Sequence, residues 1–287
     1  MPDFNNITVA VLALCLGGGV GIVVAAWLAR ALARRATGGT PPMPSGKVEV
    51  WPYRAFDWLW MGLLVAFFAV LGIGNADAKA GGTAGGISQA GLIQTMLFQL
   101  FLTTVTLAVM IGRIGPLDWL GLRWPQWPWV LLLGPACVIG VWVTGAAINL
   151  GGYHALMVHL GVDRVQDTVR LLKEHHDPTV LALMAVAAVV VAPVCEEVIF
   201  RGYLYPAAKR FAGRWVAMIA SALVFAAAHG SLAQLPQLFI LGLVLVHAYE
   251  VTKSIWAPIA IHLCNNAATV VILFAIRLSG IELPDTL

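Results

Sequence analysis

Apolar side chains dominate this 287-residue sequence: hydrophobic residues make up 60%, charged residues only 11%, and the formal net charge is +3. The mean hydropathy is +0.86, and a soluble domain of this size needs far more charge to cover its surface. These values exclude a water-soluble globular protein, and the small positive charge gives no indication of nucleic-acid binding. The four cysteines all lie in apolar stretches, which predicts neither a disulfide framework nor a zinc-binding pattern.

Several apolar runs reach the length of about 20 residues that a helix needs to cross a bilayer. Each must be helical, because an open strand would leave backbone groups unsatisfied in lipid. The sequence therefore predicts an all-α polytopic membrane helix bundle with about eight transmembrane helices. The predicted spans are residues 7–29, 56–75, 92–112, 128–149, 179–200, 214–231, 235–251 and 255–277. The short segment 230–234 between spans six and seven could form a tight turn or a re-entrant break.

The first span has its basic cluster after the apolar run, at Arg30, Arg34 and Arg35, and no basic residue before it. A secretory signal peptide has the reverse order, so we expect an uncleaved first helix. Gly17 and Gly21 within this span are four residues apart. They could form a small-residue face for packing against another helix, or simply reflect the frequency of glycine in membrane helices.

Basic residues concentrate in the connections that follow spans one, three, five and seven. The positive-inside rule therefore predicts that these connections are cytoplasmic and that both termini face outward. Segment 151–178 is predicted to be an extracytoplasmic loop, although it carries basic as well as acidic residues. No targeting or retention motif is evident, which favours the plasma membrane of a prokaryote, where protein prenylation is not the expected context.

Two regions of the chain differ in where they keep their polar residues. Residues 1–150 are predicted to form N-terminal transmembrane helices of unknown role, with almost no ionisable side chain inside them. Residues 179–277 keep carboxylates, imidazoles and amides inside or at the edges of apolar helices, where each is costly unless paired. We therefore expect residues 179–277 to carry the function, and residues 278–287 to be a tail.

The first polar motif is Glu196, Glu197 and Arg201, near the predicted cytoplasmic end of span five. Glu197 and Arg201 are four residues apart and share a helix face, with the acid before the base in the favourable order. Glu196 is rotated by about 100° from Glu197, so it is available to another partner. The alternative is a pair of interfacial carboxylates that extend to the membrane surface.

The other two motifs are a lone histidine, His229, in span six, and His262 with Asn266 in span eight. His262 and Asn266 are four residues apart, so they share one helix face. Each residue alone is a weak signal, because a buried histidine is usually a packing residue. Together, three helices supply a carboxylate, two imidazoles and an amide to one possible pocket.

Such a set is suited to the hydrolysis of an acyl bond by water. Glu196 could take a proton from a water that His229 orients, while His262 and Asn266 donate hydrogen bonds to the oxyanion. Alternatively, Glu196, His229 and His262 could hold a zinc ion with an open position for water. No H-E-x-x-H motif is present, so the sequence does not distinguish the two routes.

In order and spacing, Glu-Glu-x-x-x-Arg, Phe-x-x-x-His and His-x-x-x-Asn resemble the CAAX prenyl endopeptidase and bacteriocin-processing (CPBP) family, over roughly residues 180–275. The resemblance implies an all-helical intramembrane endopeptidase with its site open towards the cytoplasm. It implies that Glu196 and His229 activate water and that His262 and Asn266 stabilise the oxyanion. Glu197 and Arg201 then have supporting roles, and the requirement for a metal stays open.

The expected partners are membrane lipid and a peptide or protein substrate, which could be lipidated or hydrophobic. The main alternative is a non-proteolytic scaffold or immunity-type membrane protein with the same fold. A proton-coupled transporter ranks last, because such proteins usually contain inverted repeats, whereas the polar residues of this chain are confined to one half.

Overall fold

The computed structural model describes residues 4–38, 46–51, 53–80, 88–111, 113–124, 126–162 and 176–279. Within these ranges the protein is all-helical and contains no strand. Its helices are α1 (Phe4–Thr37), α2 (Ala55–Ala80), α3 (Gln89–Ile111), α4 (Pro116–Trp119), α5 (Trp127–His159), α6 (Pro178–Ala212), α7 (Arg214–Ala228), α8 (Leu235–Thr252) and α9 (Trp256–Leu278).

The eight longer helices match the eight predicted spans in order, so the prediction of an all-α membrane bundle is confirmed. Six of them, α1, α3, α5, α6, α8 and α9, are long and apolar enough to cross a membrane. The other two contain shorter apolar stretches, Phe56–Leu71 in α2 and the whole of α7. Large apolar side chains such as Leu131 and Val271 are about two-thirds exposed (68% and 65%), as expected for surfaces that contact lipid tails. The chain is an integral membrane protein.

Helix α6 is longer than predicted, because two wide turns of the π type carry it past prolines. The first, Ala187–Val191, precedes Pro193, and the second, Val198–Leu204, precedes Pro206. A proline has no N–H and collides with the carbonyl four residues earlier, so the helix widens to accommodate it. As a result α6 continues to Ala212, about twelve residues beyond the predicted end of span five.

The carbonyl groups that these prolines leave without a backbone donor are bonded by side chains of other helices. Gly202, four residues before Pro206, accepts a hydrogen bond from Trp119 Nε1 at 2.7 Å. This bond holds the short helix α4 against α6. The Tyr249 hydroxyl of α8 then donates to the Trp119 carbonyl at 3.1 Å, so α4 links α6 to α8.

Helix α5 packs between α8 and α9 and brings the N-terminal part of the chain to the C-terminal helices. Its inner face consists of small and medium residues, Gly134, Val138, Val141 and Gly145, all buried. A Cβ at Gly145 would lie 3.1 Å from the side chain of Gln237 in α8, so the missing side chain permits this close approach. The helix passes the predicted boundary at residue 150 and ends at His159, after a break at Gly152 (φ 106°).

Residues 163–175 of the predicted extracytoplasmic loop and residues 280–287 of the predicted tail lie outside the described ranges.

Helix α1 packs on α7 through a glycine that the sequence analysis did not single out. A Cβ at Gly19 would lie 2.8 Å from Val224 Cγ2, whereas a Cβ at Gly17 or Gly21 would meet nothing within 4 Å. The small face at Gly17 and Gly21 is therefore not a helix contact among the described residues. Gly19 is the position where α1 needs glycine.

Candidate active site

The two adjacent glutamates lie in the middle of α6 and not at its end, which corrects the placement expected from the sequence. Glu196 is 18 residues after Pro178 and 16 residues before Ala212, which is about 27 Å and 24 Å of helix at 1.5 Å per residue. The prediction was wrong because proline normally ends a helix, whereas α6 continues past Pro206. The glutamates are therefore deep within the bundle.

Glu197 belongs to a fully buried ionic group. Its Oε1 accepts a hydrogen bond from Arg201 Nη1 at 2.8 Å and lies 2.9 Å from His262 Nδ1. Arg201 also donates to the Gly242 carbonyl at 3.3 Å and stacks on the Phe225 ring at 4.3 Å. Glu197 and Arg201 are both 0% exposed. The pair predicted from the four-residue spacing thus joins α6, α7, α8 and α9.

Glu196 points away from this group, as the rotation between neighbouring helical residues predicts. Its Oε2 is buried without a hydrogen-bond partner and lies 3.9 Å from His229 Nε2. The side chains of Glu196 and His229 are 17% and 31% exposed, respectively. A separation of 3.9 Å is too long for a direct hydrogen bond, so both groups are free to contact a water or a substrate atom.

His229 is held by its own helix. Helix α7 ends at Ala228, and His229 Nδ1 lies 2.8 Å from the Phe225 carbonyl, four residues back. Because a carbonyl can only accept, Nδ1 carries the proton and Nε2 of the neutral ring is an acceptor. The Phe-x-x-x-His spacing therefore has a local structural cause. It fixes the tautomer and directs Nε2 towards Glu196.

Asn266 is bonded to the first wide turn of α6. Ala192 N–H donates to the Ala187 carbonyl, and Pro193 has no N–H, so neither can donate to the carbonyl of Ala188. Asn266 Nδ2 donates to this carbonyl at 2.8 Å. An amide nitrogen carries two N–H groups, so one remains for another acceptor.

The four residues predicted to be catalytic, Glu196, His229, His262 and Asn266, line one cavity of about 270 Å³. Its other polar lining residues are Gln234, Gln237, Asn265 and Thr269. Glu197 and Arg201 do not line it.

The turn between α7 and α8, for which the sequence allowed two conformations, borders the cavity close to Glu196. Because α6 extends about 27 Å from Glu196 back to Pro178, this turn lies inside the bundle and not at its end.

The alternative zinc site does not fit this arrangement. Among the described residues, no three His, Cys, Asp or Glu side chains are grouped so that they could hold a metal ion. Glu196 lies within 4 Å of the His229 ring, whereas the His262 ring is bonded to Glu197. We therefore derive no step through a metal.

Four polar side chains close to this site are not among the predicted site residues. Gln234 and Gln237 are polar residues at the start of an apolar helix, a signal that could have indicated them. Asn265 donates to Asn266 Oδ1 at 3.2 Å, and Trp142 Nε1 donates to Asn265 Oδ1 at 3.1 Å. Trp142 belongs to the N-terminal half, and no pattern in the sequence connects it to the motifs.

Comparisons with known proteins show a similarity that includes the part of the chain with these residues. Residues 178–268, which contain every predicted site residue, match the family model described as Type II CAAX prenyl endopeptidase Rce1-like. The chain is also similar to a Bacillus subtilis (strain 168) protein named "Putative membrane peptidase YdiL", with 32% identity over 89 residues. This alignment covers 31% of the chain and 36% of that relative, so the chain spans about a third of the relative's length. No solved structure gives a significant match.

The family-model match covers the C-terminal helices α6 to α9, which supply most of the cavity lining. The resemblance to the CPBP family is thereby confirmed, and it supports a membrane protease at the level of the family. Residues 178–268 of this chain are similar to CAAX prenyl endopeptidases of the CPBP family.

Proposed function

We propose that this protein is an intramembrane endopeptidase in which Glu196 activates a water for attack on a peptide carbonyl. The observation that carries the proposal is the unpartnered Glu196 Oε2 facing His229 Nε2 at 3.9 Å in a polar cavity. A buried acceptor without a partner is costly, and a water between the two groups would bond to both. Both residues also lie within the segment that matches the family model.

In the proposed reaction, water donates one hydrogen bond to Glu196 and one to His229 Nε2, which orients its oxygen towards the substrate carbonyl carbon. As the C–O bond forms, Glu196 accepts a proton from the water. The tetrahedral intermediate then collapses with cleavage of the C–N bond, and Glu196 returns the proton to the departing amine. The products are a carboxylic acid and an amine, and no further reactant is consumed.

The oxyanion of the intermediate requires hydrogen-bond donors, and Asn266 and His262 differ in how they can supply one. Asn266 Nδ2 always carries a second N–H, because a side-chain amide does not lose or gain a proton in this reaction. His262 Nδ1 donates a hydrogen bond to the carboxylate of Glu197, so His262 Nε2 can donate only when the ring is doubly protonated. We therefore assign Asn266 as the permanent donor and His262 as a donor in the imidazolium form.

The proposed substrate is a membrane-associated peptide or protein segment, lipidated or hydrophobic, that unwinds in the cavity to expose its backbone. The neutral polar groups of Gln234, Gln237 and Thr269 are suited to hydrogen bonds with peptide groups. A cavity of about 270 Å³ accommodates a short stretch of chain only. We further propose that the protein resides in a prokaryotic plasma membrane with the site accessible from the cytoplasm.

The test is cleavage of fluorogenic membrane-anchored peptides by the detergent-purified protein. Glu196→Gln keeps the size of the side chain and removes the base, so we expect kcat to fall at least about 100-fold. The matched control is Glu49→Gln, at a carboxylate that is 55% exposed, which should retain wild-type activity. Wild-type activity in Glu196→Gln would exclude the proposed role of this residue.

A chelator added to the same assay separates the two routes that the sequence left open. Activity that survives chelation and is lost in Glu196→Gln supports the carboxylate–water mechanism. Activity lost in both conditions supports a metal-dependent enzyme. Absence of cleavage on every peptide would instead favour the scaffold or immunity-type alternative.

A further inference from the structure

A line of hydrogen bonds connects α5 to the catalytic amide. Trp142 Nε1 donates to Asn265 Oδ1 at 3.1 Å, Asn265 Nδ2 donates to Asn266 Oδ1 at 3.2 Å, and Asn266 Nδ2 donates to the Ala188 carbonyl at 2.8 Å. The line runs from α5 across α9 to the wide turn of α6. Trp142, Ala188, Asn265 and Asn266 all line the cavity.

The two ends of this line allow only one direction of donation. An indole N–H can only donate, and a backbone carbonyl can only accept. The amides of Asn265 and Asn266 could each be turned the other way in isolation. Between these two ends, however, both must present oxygen towards Trp142 and nitrogen towards Ala188.

This direction matters because the face that Asn266 presents to the cavity decides whether it can stabilise an oxyanion. In the observed direction, Nδ2 has one N–H on Ala188 and a second N–H to offer. In the opposite direction Asn266 Oδ1 would replace Nδ2 next to the Ala188 carbonyl. Two oxygen acceptors would then face each other and repel. An amide that hydrogen bonds already hold in the productive orientation needs no reorganisation during the reaction.

We propose that Trp142 and Asn265 are positioning residues that hold the Asn266 amide with its N–H groups towards Ala188 and the reacting carbonyl. This inference rests on the proposed function. It assigns a role in the reaction to α5, which lies outside the matched segment 178–268. The site is therefore completed by the N-terminal half of the chain.

Helix α5 is placed for this role by its packing. Gly134 approaches Cys264 of α9, with 3.7 Å between the position of a Cβ and the cysteine side chain, and Gly145 approaches Gln237 of α8. These two glycines lie on either side of Trp142 along the helix. The indole is therefore held at a fixed depth beside Asn265.

The test compares Trp142→Phe with Trp129→Phe in the peptide-cleavage assay. Trp142→Phe removes the indole donor and keeps an aromatic ring, and Trp129 is an exposed residue (60%) of the same helix. The loss of one hydrogen bond corresponds to a fall in kcat of about three- to tenfold, with KM unchanged. Trp129→Phe should match the wild type. Equal kcat values in the two variants would overturn the inference.

A second comparison separates positioning from packing. If Trp142 acts through Asn266, Trp142→Phe should cause no further loss when it is added to Asn266→Ala. An equal fold-loss in both backgrounds would indicate an independent packing effect and would also overturn the inference. Wild-type activity of Asn266→Ala would instead contradict the proposed function.

The hydrogen bond itself has a readout that does not depend on activity. In protein labelled with ¹⁵N-tryptophan, the indole N–H resonance of Trp142 is assigned by its loss in Trp142→Phe. It should shift in Asn265→Ala, whereas the resonance of Trp129 should not. An unchanged Trp142 resonance in Asn265→Ala would contradict the proposed line of bonds.

Discussion

Glu196 and Glu197 have the same side chain and adjacent positions, yet they lie in opposite environments. Glu197 is fully buried against Arg201 and His262, whereas Glu196 borders the cavity with one oxygen unpartnered. The cause is the rotation of about 100° between neighbouring residues of a helix. One carboxylate therefore fixes the structure while its neighbour is available for the proposed chemistry.

The buried pair predicts a stability effect at Arg201. Arg201→Met leaves the carboxylate of Glu197 buried without its main partner, and breaking such a pair costs about 3–5 kcal/mol. We expect a large fall in the midpoint of thermal unfolding in detergent. The control Lys253→Met breaks the exposed pair with Glu49 and should change the midpoint little.

The charge, and not the size of the side chain, should cause this effect. Adding Glu197→Gln to Arg201→Met removes the unpaired charge, so the double variant should unfold at a higher temperature than Arg201→Met. A double variant that unfolds at the same or a lower temperature would contradict the prediction.

At the residue scale, the sequence predicted which motif residues lie together in one cavity better than it predicted their contacts. The four-residue spacings of Glu197 with Arg201 and of His262 with Asn266 follow from helix periodicity. The contacts of Asn266 with Ala188 and of Asn265 with Trp142 depend on how separate helices pack. No single-chain periodicity contains that information, so these contacts could not be predicted.

At the scale of helices, the site depends on how closely α7 and α8 approach each other. A Cβ at Gly242 would lie 3.0 Å from Ala222 Cα and 3.1 Å from Ala222 Cβ. The nearest atom belongs to the backbone and cannot rotate away. Gly242 therefore sets the distance between α7 and α8. This distance in turn positions His229, which follows the last residue of α7.

Gly242→Ala should lower the midpoint of thermal unfolding, because it forces these two helices apart. Alanine is favoured over glycine within a helix by about 1 kcal/mol, so helix propensity alone would raise the midpoint. A fall in the midpoint would therefore report the steric contact. The control Gly17→Ala, where a Cβ meets nothing within 4 Å, should leave the midpoint unchanged or raise it. A rise in both variants would contradict the close approach of α7 and α8.

The number and order of long helices followed from apolar run lengths, but the end of α6 and the depth of the turn between α7 and α8 did not. The end of α6 was placed too early because the turns at Pro193 and Pro206 widen the helix without ending it. The turn between α7 and α8 could not be assigned a depth, because depth depends on the neighbouring helices. Length and composition constrain each helix separately, whereas the packing of neighbouring helices determines where a helix ends and how deep a turn lies.

At the scale of the whole molecule, the orientation in the membrane stays a prediction from the distribution of basic residues. It can be tested with single cysteines in a variant that lacks the four native ones. Asp177→Cys should react with a membrane-impermeant maleimide on intact cells, since it is exposed and predicted to face outward. Glu49→Cys should react only after permeabilisation. The opposite pattern would reverse the orientation and place access to the site on the outer side.

The division of the chain into a functional C-terminal half and an N-terminal half of unknown role also stays a prediction. Buried contacts connect the two halves at several points. Asp57 of α2 binds Arg113 and Tyr203, and the Val48 carbonyl accepts a hydrogen bond from Lys209, which pairs with Glu250. The matched segment 178–268 is thus in contact with helices that the family model does not cover.

The wide turn before Pro193 implies a trade-off between stability and activity. Pro193→Ala restores a backbone donor and removes the ring that collides with the preceding turn, a change worth about 3 kcal/mol in a helix interior. The new N–H would also compete with Asn266 for the Ala188 carbonyl. We therefore expect a protein that unfolds at a higher temperature and cleaves peptides more slowly, as calorimetry and the peptide assay would show. A variant that gained or lost both properties together would indicate that the strain in α6 does not serve the reaction.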